Sequence, residues 1–182
     1  MTELKDEVLL DNLKRGDVNA LGKLYERYKT VLFNYFLRTV RDYDASNDLL
    51  METFERVYKY RNSYQSSRKV RSWLFQIASN LTKDYFKKTK QSTAIGNSWR
   101  EHTETKTTES EISSDITYRN SALMRALNQL KPTERNLINM YYLLEMSYED
   151  MATAEGITVN NARIKVCRAL KRLKETLKDS EL

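Results

Sequence analysis

Residues 147–173 read SYEDMATAEGITVNNARIKVCRALKRL, and how this stretch is punctuated decides the fold. Ser147 suits an N-cap. Asp150, three residues later, takes the place of the usual Glu of a capping box, so a helix opens here and runs through Met151, Ala152 and Glu155. Gly156 ends it, because glycine adopts the positive φ of a tight turn without steric cost. Ile157 is expected to pack inward and Thr158 to cap a second helix through Ala162, Val166, Ala169, Leu170, Leu173 and Leu177. A small residue at 152, glycine four positions on and a fresh helix directly after it match a helix-turn-helix, in which Ala152 lets the helices approach. The competing reading is an ordinary helical hairpin with a glycine turn.

At about 100° per residue, Ala162, Val166, Ala169 and Leu173 share the core face of the second helix. Asn160, Ile164, Cys167, Arg168 and Lys171 lie opposite, where a major groove would be met, and Asn161 joins them as a candidate. Asn pairs bidentately with adenine and Arg with guanine, and an exposed Ile164 presses on a thymine methyl. Arg163, Lys165 and Arg172 fall on the flanks and suit phosphates. Residues 163–178 carry seven basic side chains and one acidic, whereas a merely solvated helix interleaves the two signs. Cys167 reads as a small neutral spacer rather than a redox group.

Four Gly and one Pro in 182 residues leave few turn formers, so the fold class is all-α. One Cys and one His, Cys167 and His102, exclude an intrachain disulfide and a zinc site and leave no triad to build on, so no metal is expected. Neither GxGxxG nor GxxxxGK[ST] occurs, so the chain lacks the backbone phosphate cradle of nucleotide-dependent enzymes, and no cofactor is expected. No apolar run approaches the roughly 20 residues that span a bilayer, and the N-terminus MTELKDEVLLDNLKRGD is mixed in charge. A cytoplasmic location is expected.

Residues 91–117, QSTAIGNSWREHTETKTTESEISSDIT, read as a flexible acidic linker holding only Ile95, Trp99, Ile112 and Ile116 as large apolar groups. The charge is +6 over 1–90, −3 over 91–117 and +3 over 118–182, so two small helical domains, 1–90 and 118–182, are expected. Helical stripes run through Leu21 to Phe36, Leu49 to Tyr58 and Val70 to Tyr85, the last forming a long helix over about 69–89. A short helix carries Leu4, Val8, Leu9 and Leu13, and Pro132 suits the first turn of the helix bearing Leu137.

Within the first domain the sign reverses abruptly. Residues 42–55 hold five acidic side chains and no basic one, while 56–90 hold ten basic and one acidic. The acidic helix bearing Leu49, Leu50 and Phe54 suits a basic protein surface. The basic segment interleaves Tyr58, Tyr60, Tyr64, Trp73, Phe75 and Phe86 among its cations, as unstacked bases require. Trp73 and Tyr85 belong to the core stripe, which leaves Tyr60 and Tyr64 as the better stacking candidates.

Five motifs now stand in order: Asp44-x3-Asp48-Leu49-x2-Glu52-x-Phe54; Val70-Arg-Ser-Trp-Leu-Phe-Gln-Ile-Ala-Ser-Asn80 with Asp84; Leu130-Lys-Pro-Thr-Glu-Arg135; Ser147-Tyr-Glu-Asp-Met-Ala152; and Ala162-Arg-Ile-Lys-Val-Cys-Arg-Ala169. Together they resemble a short, two-domain extracytoplasmic-function (ECF) sigma factor. The resemblance implies a non-catalytic bacterial subunit that binds core RNA polymerase and directs it to promoter DNA. It implies that Asp44, Asp48, Leu49, Glu52 and Phe54 dock on the clamp coiled coil of the largest polymerase subunit. It places Tyr60, Arg61, Tyr64, Arg68, Lys69, Arg71, Gln76, Asn80, Lys83 and Lys87 at the minus-ten element, which they open. Asn160, Asn161, Arg163, Ile164, Lys165, Cys167, Arg168 and Lys171 then read the minus-thirty-five element.

An anti-sigma factor, often membrane-bound in this family, is the further partner implied, and the linker would thread near the polymerase active-site and RNA-exit channels. Met51 stands where the family usually has Gln, Glu155 where Leu precedes the turn glycine, Ile164 where a small hydroxyl residue is common, and Cys167 where His or an aromatic is frequent. The alternative is a helix-turn-helix regulator that acts without polymerase, and residues 1–90 offer it no sensor or dimerisation pattern. An enzyme acting on nucleic acid ranks behind both, since Asp84 stands alone in the basic segment.

Overall fold

The computed structural model describes residues 4–66, 68–94, 123–127 and 129–179, all helix and connecting turns. Four helices build the first domain: α1 (Asp6–Lys14), α2 (Val18–Val40), α3 (Tyr43–Tyr60) and, after a 3-10 turn at Arg61–Ser63, α4 (Val70–Ala94). The second holds a helical run at 123–127, α5 (Pro132–Ile138) continuing into a π turn over Asn139–Leu143, α6 (Tyr148–Glu155) and α7 (Val159–Asp179).

Polar caps set the boundaries. Asp17 accepts from the Asn19 amide at 3.0 Å and opens α2, and Asp42 accepts from the Ala45 amide at 2.9 Å and opens α3. Arg41 between them takes a left-handed conformation, φ 62°, which closes α2 and turns the chain. Pro132 sits in the first turn of α5, as its lack of an N–H allows. The long helix extends beyond the expected 69–89 to Ala94, because no glycine or proline interrupts it before Gly96. It therefore takes in the first four residues expected in the linker. The rest of that linker lies outside the described residues.

Leu9, Leu10 and Leu13 of α1 meet Leu24, Leu32, Tyr35 and Phe36 of α2, Leu50 and Val57 of α3, and Leu74, Phe75, Ala78 and Leu81 of α4 in a single core. That core is continuous with Leu137, Met140 and Met151 of the second domain, and α6 lies along α4. The two domains thus pack directly on each other.

Candidate nucleic-acid interface

The helix-turn-helix forms as its punctuation requires. Ser147 Oγ accepts from the Asp150 amide at 3.1 Å, Gly156 closes α6 at φ 68°, and Thr158 Oγ1 accepts from the Asn161 amide at 3.2 Å to open α7. Ala162, Val166 and Ala169 are fully buried. Asn160, Asn161, Arg163, Ile164, Cys167, Arg168 and Lys171 are exposed on α7, and Lys165 is half-buried. Arg163 lies over the Tyr148 ring at 5.3 Å, and that ring stacks on Tyr141 with centroids 5.4 Å apart. Lys171 Nζ approaches Glu175 to 3.9 Å in solvent, where such a pair is weak. Arg172 corrects the expectation that it suits a phosphate: its guanidinium donates to Glu134 at 2.6 Å and ties α7 to α5.

On α4 and the loop before it, Tyr60 is 46% exposed, with the Lys59 ammonium 5.4 Å from its ring. Tyr64 is not available for stacking on a base. It is 4% exposed, packs against Trp73 at 5.3 Å, and donates from its hydroxyl to the Arg68 carbonyl, while Lys14 Nζ lies 5.0 Å from its ring. A single aromatic in a polar loop has no periodicity to betray its burial. Arg61 stacks on Tyr58 at 4.3 Å and donates to its carbonyl at 2.6 Å. Arg68, Asn80 and Lys87 are exposed and Gln76 is half-buried.

The remaining three cations of this set meet the second domain. Lys69 Nζ lies 3.5 Å from Asp150, Arg71 donates to the Leu144 carbonyl at 2.6 Å, and Lys83 Nζ lies 3.0 Å from the Glu155 carboxylate. Next to Glu155 the domains leave a cleft of about 660 Å³ with Lys83, Lys87, Lys90 and Lys131 among its lining residues. Those ammonium groups give the cleft a positive potential that attracts anionic groups.

The acidic helix α3 presents Asp44 and Asp48 to solvent, and Glu52, half-buried, accepts from Arg56 Nη2 at 2.7 Å. Leu49 and Phe54 face inward, with Phe54 edge-on to Tyr25 at 5.0 Å, so they cannot offer their side chains to a partner as expected. Met51, 53% exposed, is the apolar side chain that stands among the carboxylates instead. At about 100° per residue it lies about 130° around α3 from the buried stripe of Ser46, Leu50, Thr53 and Val57.

Several polar side chains that the sequence left unassigned knit the domains together. Arg135, buried, donates to the carbonyls of Thr39, Leu127 and Leu130. Burial, aided by nearby Arg41, pushes its guanidinium down to about 10, so it remains charged at neutral pH. Tyr35 donates to the Asn136 side-chain oxygen, and Asn139 donates to Thr39 Oγ1 at 3.0 Å. Asp150 accepts from Ser72 at 2.6 Å. Burial opposes its charge, but hydrogen bonds from Ser72 and Ser147 and the Lys69 ammonium outweigh that and hold its carboxyl below the ordinary range.

The family model described as "Sigma-70 region 2" matches residues 24–92, and "Sigma-70, region 4" matches residues 120–173. The chain belongs to the extracytoplasmic-function sigma factors. It is 29% identical over 160 residues to the ECF RNA polymerase sigma factor SigM of Bacillus subtilis, covering 85% of this chain and 93% of that one. It is 28% identical over 173 residues to the RNA polymerase sigma factor CarQ of Myxococcus xanthus, covering 95% and 98%. Two solved structures share the fold. CnrH in complex with the cytosolic domain of CnrY superposes with a TM-score of 0.72 at 18% identity, over 96% of this chain and 97% of that one. The sigma factor RpoE of Bartonella quintana, in complex with the anti-sigma factor NepR, gives 0.70 at 22% identity, over 85% and 96%.

As a sigma factor the protein binds core RNA polymerase and promoter DNA and contributes no catalytic group of its own. No described helix is long and apolar enough to cross a membrane.

Proposed function

We propose that the sigma factor divides its work among three surfaces. Helix α7 reads the minus-thirty-five element through Asn160, Asn161, Ile164, Cys167, Arg168 and Lys171, with Arg163 and Lys165 on phosphates. Helix α4 and the loop before it bind and open the minus-ten element through Tyr60, Arg61, Arg68, Lys69, Arg71, Gln76, Asn80, Lys83 and Lys87. Tyr64 supports that loop from within. The outer face of α3, with Asp44, Asp48, Met51 and Glu52, docks on a basic surface of core polymerase, and Leu49 and Phe54 hold that face in place from the core. The domain limits 1–90 and 118–182, with an acidic linker over 91–117, belong to the same reading.

The observation that carries it is α7 itself: a fully buried stripe at Ala162, Val166 and Ala169 sets seven polar, cationic or apolar candidates outward on a preformed helix. An anti-sigma factor is the remaining partner. It is supported by the complex in which a protein of the same fold, RpoE, is bound to NepR. A cytoplasmic location follows from binding the polymerase. Run-off transcription with purified core polymerase on a genomic library tests the whole reading: enriched start sites sharing two spaced elements are expected. Unenriched transcription equal to core alone would refute it.

A further inference from the structure

The cleft beside Glu155 has two walls. One is the later part of α4, where Lys83, Phe86, Lys87 and Lys90 recur at helical spacing on one face; the other is the start of α5, with Lys131, Pro132 and Thr133. Lys83 is already neutralised. Its ammonium lies 3.0 Å from the Glu155 carboxylate, which also accepts from the Ser79 hydroxyl and from Asn136 Nδ2 at 2.6 Å. Glu155 is the one carboxylate among the described residues that line the cleft, and its side chain is only 8% exposed.

Lys87, Lys90 and Lys131 are exposed and, among the described residues, meet no carboxylate. The acidic side chains next to the walls in sequence face other partners: Asp84 lies 3.7 Å from Arg56, and Glu134 accepts from Arg172 at 2.6 Å. Three uncompensated ammonium groups therefore border a concave space of about 660 Å³. Lysines three and four residues apart on one helix repel, and Lys131 adds a further cation from the facing wall. Concavity focuses their field, so the arrangement is relieved by a ligand that carries several negative charges close together.

The lining is not cationic alone. The half-buried Phe86 ring, edge-on to Tyr85 at 5.6 Å, and Pro132 supply apolar surface, and the exposed Thr133 supplies a hydroxyl. The volume falls within the roughly 300–1,000 Å³ usual for small-molecule sites. A flat ring on the apolar surface, joined to a chain of phosphates on the ammonium groups, would use both kinds of lining.

We propose that this cleft binds a nucleoside triphosphate, its linked phosphates on Lys87, Lys90 and Lys131 and its base against Phe86 and Pro132. The ligand is bound and not consumed, because Glu155 is engaged by three donors and the lining holds no free carboxylate to activate water. Lys87 also belongs to the minus-ten reading of α4. The site is therefore tested through Phe86, Lys90 and Lys131, which have no part in that reading.

The test is isothermal titration of the full chain, without DNA or polymerase, with ATP, AMP and inorganic tripolyphosphate at one ionic strength of about 0.15 M, where charges beyond roughly 8 Å are screened. ATP should bind at least about tenfold more tightly than AMP, and saturating ATP should raise the melting temperature by mass action. Lys90→Ala and Lys131→Ala should each weaken ATP about threefold, and together about tenfold. Lys23→Ala, exposed on α2 and outside the cleft lining, should leave affinity unchanged. Phe86→Leu keeps apolar bulk and loses the flat ring, so it should weaken ATP and leave tripolyphosphate as it was. Far-ultraviolet circular dichroism checks that each variant folds.

Equal affinity for ATP and AMP overturns the phosphate subsite. Tripolyphosphate binding as tightly as ATP, with Phe86→Leu without effect, gives the cleft to an inorganic chain and overturns the nucleoside. A loss shared by Lys23→Ala reduces the binding to net charge, and displacement of ATP by an equal concentration of hexaglutamate makes the cleft a groove for an acidic peptide. Either result removes the nucleotide site.

Discussion

Helices α4 and α7 carry the two residue sets proposed to meet promoter DNA, and their cations are managed in different ways. On α7 the candidates Arg163, Lys165, Arg168 and Lys171 meet at most a ring or a solvent-exposed carboxylate, and the helix is held from behind by Ala162, Val166 and Ala169. On α4, Lys83 reaches the buried Glu155 carboxylate at 3.0 Å and Arg71 donates to the Leu144 carbonyl, while Lys69, with its side chain 74% exposed, lies 3.5 Å from Asp150. A face that reads duplex DNA can be left standing, because the duplex presents its base edges without rearrangement. A face that must engage unstacked bases is useful only once the strands separate, and a basic aromatic surface left open would hold single strands and other polyanions indiscriminately. The difference teaches that net charge on a helix measures affinity for DNA only after the ion pairs within the protein have been set aside.

The most severe way to break the comparison is to cut what joins the two regions. Arg135 donates to three carbonyls, including that of Thr39 in the other domain; in Arg135→Ala the Leu127 carbonyl keeps the Leu130 amide at 3.3 Å, while those of Thr39 and Leu130 lose their arginine donor. At about 1–3 kcal/mol for each buried group left unsatisfied, the loss should amount to at least roughly 2 kcal/mol by urea unfolding. Arg135→Lys should recover little of it, since one ammonium cannot reproduce the fork. A loss below about 1 kcal/mol would mean that the domains do not depend on this residue.

Tyr60 and Tyr64 sharpen the comparison within the first domain. Tyr64→Ala removes a buried ring from against Trp73 and should destabilise the fold by about 3 kcal/mol. Tyr60→Ala removes an exposed one and should change stability by less than about 0.5 kcal/mol. Only Tyr60→Ala should impair promoter opening, seen as lower permanganate reactivity of thymines, with the closed complex intact. Equal stability losses would erase the distinction drawn between the two rings.

On the α7 side, Arg168→Ala should cost about 1–3 kcal/mol at one upstream base pair if the guanidinium reads a base. A uniform loss on every promoter sequence would reassign it to a phosphate. Arg163→Ala, whose side chain lies on Tyr148 at the flank, should show that uniform pattern.

The helices and the turn glycine were legible because they follow local rules. Ser147, Gly156 and Thr158 each satisfy or release a backbone group within a few residues of themselves, and the buried stripe of α7 repeats with the helical period. The stripe from Leu49 to Tyr58 marks the core side of α3 by its period, but the docking role that the resemblance implies for Leu49 and Phe54, and the stacking role of Tyr64, depend on tertiary packing that no local pattern displays. The contact between α4 and α6 was not legible at all. Its participants, Ser72, Ser79, Asn136, Asp150 and Glu155, are polar residues from segments some 20 to 80 positions apart, and no local pattern links them. The one trace was Glu155 itself, a carboxylate directly before the turn glycine, where the resemblance implies Leu.

The smallest expected effect bears on Asp150. Burial opposes its charge, but Ser72, Ser147 and Lys69 overcome that and hold its carboxyl below the ordinary value of 3.8. A depressed folded-state value means that the ionised form stabilises the folded chain, fully so above the unfolded value and progressively less as pH falls through the lower folded one. Acidification below about 4 should therefore lower the parent's stability more than that of Asp150→Asn, whose amide does not titrate. The urea midpoint measured from pH 6 down to pH 3 should fall more steeply for the parent. Parallel curves would place the acid sensitivity elsewhere than at the contact of Asp150 with Ser72 and Lys69.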